Sequence, residues 1–86
     1  MSRPLFLTPL VILSAWILVS CRQSPQQYVA KGNAFYDSGK YEDAIINYKK
    51  AVQRDPKFGE GYYRLGLAQL KTGKSRDAYV ALNTAS

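Results

Sequence analysis

One thiol, six carboxylates and no imidazole make up the reactive inventory of this 86-residue sequence. Without His there is no imidazole general base, and a single Cys forms neither an intrachain disulfide nor a Cys/His zinc cluster. Glu42 and Asp43 are the one adjacent acidic pair. Successive residues on a helix splay about 100° apart, so these two cannot share a substrate as a carboxylate dyad. The Lys31-Gly32-Asn33 run lacks the strand–loop–helix setting that a phosphate loop needs. The inventory therefore supports no enzyme, no metal site and no bound cofactor. It leaves Cys21 as the one reactive group to explain.

The element that positions Cys21 is an apolar run. Arg3 supplies a short positive start, and Leu5 to Ser20 carries no charge. A spanning helix needs about 20 apolar residues, whereas this run contains Pro9 and stops at Cys21, so it reads as a secretory signal and is set apart from fold reasoning. Leu18-Val19-Ser20-Cys21 resembles the bacterial lipobox. That resemblance implies a diacylglycerol on the Cys21 thiol, cleavage just before it, and acylation of the new amino end. Residues 1–20 are then a lipoprotein signal peptide, and residues 21–24 the lipidated Cys and its tether. Each buried CH₂ contributes about 0.8 kcal/mol, so two or more chains hold the protein firmly to a bilayer. Arg22 stands where an Asp would favour inner-membrane retention, so the expected address is the periplasmic face of a bacterial outer membrane.

The rest of the chain repeats itself. Ser24-Pro25-Gln26-Gln27 has the makings of a helix start with a capping box, and breakers recur at Ser38-Gly39-Lys40, Asp55-Pro56 and Thr72-Gly73-Lys74. Tyr41, Ala44, Ile45, Tyr48 and Val52 fall on one helical face, and no stretch alternates like a strand. The spacing predicts four helices over roughly Pro25–Ser38, Tyr41–Arg54, Gly59–Thr72 and Ser75–Ser86. Shifting residues 25–52 by 34 positions onto 59–86 matches eight of 28 pairs, among them Tyr28/Tyr62, Gly32/Gly66, Gly39/Gly73, Ala44/Ala78 and Ala51/Ala85. A fixed period of this size signals a solenoid. Small residues on the helices suit close crossings, and the turn glycines suit positive φ.

These residues resemble the tetratricopeptide repeat family. The first repeat supplies Tyr28, Lys31-Gly32, Phe35, Ala44, Tyr48, Ala51 and Pro56, and the second Tyr62, Leu65-Gly66, Gln69, Ala78, Leu82 and Ala85. The resemblance implies an all-α solenoid of antiparallel helix pairs, with repeat one at 25–58 and repeat two at 59–86. The second repeat breaks off at Ser86 before a closing Pro, which reads as the front of a longer array. Lys31 and Gln69 depart from the family's apolar choices, and a more solvated edge is expected at both.

By the same resemblance, the first helix of each repeat lines a concave groove for an extended peptide or a partner helix. Asn33, Tyr36 and Asp37, with Tyr63, Leu67, Leu70 and Lys71, would face it. Adjacent Tyr62 and Tyr63 cannot both enter one interface; Tyr62 matches the packing aromatic, so Tyr63 is left for a partner. One subset of the family clamps a carboxylate between Lys and Asn. Val29 and Arg64 stand at two of those places, so that specificity is not expected. Once Arg3 is removed, eleven basic residues face six acidic ones, but the two signs interleave along every helix. Such charge is a solvated face rather than a nucleic-acid groove. The expected partners are envelope proteins and, through the acyl anchor, the bilayer. A self-associating structural subunit, joined through an open second repeat, is the alternative.

Overall fold

The computed structural model describes residues 23–86; the signal segment, Cys21 and Arg22 lie outside the described residues. Four helices follow one another: α1 (Pro25–Asp37), α2 (Tyr41–Arg54), α3 (Gly59–Lys71) and α4 (Ser75–Ala85), with no strand among the described residues. The start of α1 is the expected capping box. The Gln27 N–H donates to Ser24 Oγ at 3.2 Å, the Ser24 N–H donates to Gln27 Oε1 at 2.7 Å, and Pro25 opens the helix. Lys40 begins α2 without a side-chain cap, but Glu42 and Asp43 in the first turn complement the helix dipole.

Both first helices of the pairs stop in the same way. Gly39 and Gly73 each adopt φ of 77°. The Lys40 N–H reaches back to the Phe35 carbonyl and the Gly39 N–H to that of Tyr36; Lys74 and Gly73 do the same to Gln69 and Leu70. This paired closure satisfies carbonyls that a helix end would leave bare, and only Gly enters the left-handed region without a Cβ penalty. It also explains why α1 and α3 end one residue short of the expected Ser38 and Thr72, which serve instead as the caps.

The core forms where small residues let helices close together. Ala44, Ala51, Ala68 and Ala78 are fully buried, alongside Val29, Ile45, Tyr48 and Leu65. A Cβ built on Gly32 would lie 2.5 Å from Tyr48 Cε1, and one on Gly66 would lie 2.6 Å from Leu82 Cγ. The same pair of repeat positions, Gly with Tyr in the first and Gly with Leu in the second, thus sets the α1–α2 and α3–α4 crossings, 34 positions apart. Gly61 performs the corresponding task between pairs, with its Cβ position 2.8 Å from Val52 Cγ1. The two pairs therefore stack as one array, with α3 packed on both α2 and α4. An exposed Lys74–Glu42 ion pair of 3.0 Å also links them, a contact that adds little in water.

One expectation is corrected. Lys31 is exposed as foreseen, but Gln69 is only 4% exposed. The difference lies in the neighbours: among the described residues α1 has helices on one side only, whereas α3 is flanked by α2 and α4. A position on α3 is enclosed whatever its polarity.

Candidate functional site

The candidate groove residues come from α1 and α3, which also meet each other directly. On α1, Asn33 is half-buried and tied down, because the Tyr48 hydroxyl donates to its Oδ1 at 2.6 Å. That bond uses one lone pair of its carbonyl oxygen, leaving the second lone pair and the two N–H donors of the carboxamide. Tyr36, also half-buried, sets its ring edge-on to Tyr41 at 5.1 Å between centroids and 72° between planes. On α3, Lys71 Nζ stands 6.0 Å from the centroid of that same Tyr41 ring. Tyr36 and Lys71 are therefore brought together through Tyr41, which the sequence reading had placed only on the helical face of Ala44 and Tyr48. Asp37 is exposed and Leu67 half-buried.

Among the groove candidates, Tyr63 and Leu70 are the exposed apolar residues, at 49% and 50%; Ile46 of α2 and Tyr79 and Val80 of α4, outside the candidate set, are exposed further. Tyr63 and Leu70 share a face of α3 with Leu67 by helical spacing. Tyr63 nevertheless lies at the far end of α3 from Lys71. It borders a shallow depression of about 500 Å³, together with Gly59, Glu60, Leu82, Ala85 and Ser86. Its counterpart in the first repeat, Val29, is only 4% exposed within the core that includes Leu65 of α3. Tyr62 is half-buried, as its packing role requires.

The polar surroundings of Tyr48 escaped the sequence reading. Burial pushes the Tyr48 hydroxyl above the ordinary tyrosine range; the Arg64 charge opposes this, while Asp37, Tyr36 and Glu60 add to it. Arg64 in turn lies 3.7 Å from Glu60, one turn earlier on α3. Charges from α1 and α3 thus converge near one buried phenol. The sequence held a partial signal, since Arg64 and Glu60 are spaced i, i+4, but nothing in the spacing links either to Tyr48. Among the described residues no three His, Cys, Asp or Glu side chains cluster as a metal site would require. The arrangement offers aromatic, apolar and hydrogen-bonding surface, the means of holding another polypeptide.

Stacked antiparallel helix pairs, with a glycine at each pair's crossing and at the turn within each pair, define an all-α repeat fold of the tetratricopeptide type. Sequence comparison agrees: residues 32–73 match the family described as TPR repeat. The chain is 38% identical over 58 residues to the Mycosarcoma maydis small glutamine-rich tetratricopeptide repeat-containing protein 2. It is 38% identical over 48 residues to the human TPR and ankyrin repeat-containing protein 1. Those matches cover 67% and 56% of this chain, yet only 16% and 2% of the two relatives. Repeats of this kind generally act as protein-interaction scaffolds.

Proposed function

We propose that this chain is a non-catalytic binding scaffold of the bacterial cell envelope, held to the membrane by lipid on Cys21. Its groove, formed by Asn33, Tyr36 and Asp37 with Tyr63, Leu67, Leu70 and Lys71, takes an extended peptide or a partner helix. The observation that carries the binding reading is the half-exposed Tyr63 and Leu70 on the face of α3 that also bears Leu67. Large apolar side chains left open on a repeat scaffold offer the area that binding hot spots use. The tether rests on the Leu18–Cys21 motif. Confinement beside a bilayer raises the effective concentration of the groove for envelope partners.

The two halves are tested separately. Cys21→Ser should abolish acyl labelling and leave uncleaved precursor; a mutant that is processed and fractionates like wild type refutes the tether. Tyr63→Ala should weaken capture of envelope proteins with little change in thermal melting, whereas Tyr62→Ala should do the reverse. Equal destabilisation by both would place Tyr63 in the core and end the groove reading.

A second reading has an observation of its own. Ala51 and Val52 of the first repeat pack against Gly61 of α3, while the matching Ala85 and Ser86 of the second border the open depression beside Tyr63. A second copy covering that face would make the protein a self-associating subunit. Light scattering on the eluting protein decides, since a stable oligomer lost in Tyr63→Glu favours it.

A further inference from the structure

One end of the array gathers a terminus from every helix. Lys50 Nζ stands 5.9 Å from the centroid of the Tyr28 ring, which sets the last turns of α2 beside the first turn of α1. The Ala85 carbonyl oxygen, closing α4, lies 3.4 Å from the Cβ position of Gly59, where α3 begins. Charge divides unequally along this axis. Residues 25–31, 48–65 and 80–86, the half containing these termini, hold six Lys or Arg against Asp55 and Glu60. The other half holds four charges of each sign. Both carboxylates at the basic end are engaged within the fold: Asp55 Oδ1 accepts from the Lys57 N–H at 3.0 Å, and Glu60 faces Arg64 at 3.7 Å. Lys50, Arg54 and Lys57 are exposed and make no ion pair among the described residues. Arg54 lies one turn beyond Lys50, so the free charge concentrates toward the tip.

The chain meets its anchor at this same end. Cys21 stands three residues before the Ser24 cap, and three residues reach about 11 Å at most. We propose that Lys50, Arg54 and Lys57 rest on the headgroups of anionic phospholipids, an inference that depends on the membrane attachment proposed above. The array then stands on its basic end. Lys71, twelve residues along α3 from Gly59, is carried about 18 Å further out, which turns the Tyr36–Lys71 end of the groove toward the aqueous side. Each cation at an anionic surface favours the docked orientation about fivefold, so the three together contribute about a hundredfold. An acidic protein would meet the same cations, but only a bilayer is held within that reach by the chain itself.

The test expresses the full sequence, extracts the protein from membranes and reconstitutes it in nanodiscs of phosphatidylcholine, with or without phosphatidylglycerol. A gadolinium chelate on the headgroups broadens nearby backbone amide signals. With phosphatidylglycerol, the signals of Arg54 and Lys57 should be lost and those of Gly39 and Gly73 kept. In phosphatidylcholine alone, or in the Lys50→Gln/Arg54→Gln/Lys57→Gln variant, the array should tip about its tether, so that broadening weakens at Lys57 and extends to Gly39 and Gly73. The same pattern in both lipids, or in wild type and variant, overturns the proposal, as does broadening of neither end. The intact mass of each sample reports acylation of Cys21 separately. Acyl groups without a lipid-dependent pattern sink this surface and keep the tether, and the pattern without acyl groups does the reverse.

Discussion

Gly32→Ala adds one methyl group at the tightest point of the α1–α2 crossing. In an ordinary helix interior the change would stabilise by about 0.8–1 kcal/mol, since Ala is the better helix former. Here the new Cβ would lie 2.5, 2.6 and 3.0 Å from Tyr48 Cε1, Cδ1 and Cζ. Carbon atoms prefer about 3.5–4.0 Å, so the ring must retreat by about 1 Å. It has nowhere open to go, being 1% exposed, and its hydroxyl is bonded to Asn33 at 2.6 Å. Overpacking of this size costs about 1–3 kcal/mol, and straining the Asn33 bond adds about 1 kcal/mol. Subtracting the propensity gain leaves a net loss centred near 2 kcal/mol, or roughly 8–16 °C in Tm for a domain of this size. Far-UV circular dichroism during heating reads it directly. Gly66→Ala is the internal comparison: its methyl would meet Leu82, a half-buried side chain near the end of α4, so its loss should be smaller. If Gly32→Ala melts at or above the wild-type temperature, Tyr48 does not occupy the crossing as described.

Three further perturbations probe other parts of the structure. Gly39→Ala meets no atom within 4 Å, so its expected loss of about 1–2 kcal/mol comes from the φ of 77° alone; Gly39→Asn should lose less, and equal melting of all three proteins would refute that turn geometry. Ala44→Leu, at a position with no exposed surface, should cost about 1–3 kcal/mol or more, and an unchanged melt would refute the helix pairing. Tyr48 holds its proton more tightly folded than unfolded, so its contribution is intact below about pH 10 and is lost as pH rises through its raised folded-state value. Denaturant titrations above pH 10 should therefore show a shallower fall for Tyr48→Phe than for wild type, and parallel curves would contradict the burial of that hydroxyl.

Local chemistry was legible in the chain because each signal is complete within a few residues. Ser24 with Gln27 specifies a capping box, Gly39 and Gly73 specify left-handed turns, and the spacing from Tyr41 to Val52 specifies a buried face. The 34-residue echo added the helix-pair architecture, since equal residues at equal spacing must meet equal neighbours. What a residue meets across helices was not written locally. Gln69 reads as polar and solvated, yet the stacking of α3 between α2 and α4 encloses it, and no spacing rule counts the neighbours that another pair will bring. Asn33 reads as a free groove amide, yet the Tyr48 hydroxyl, 15 residues on, reaches its carbonyl oxygen. Tyr63 and Val29 share a repeat position but not a burial, because α3 packs beyond the first pair while the corresponding face of the second borders an open depression. Sequence sets what a helix offers on each face; only the packing of one pair against the next decides which of those faces remain available to a partner.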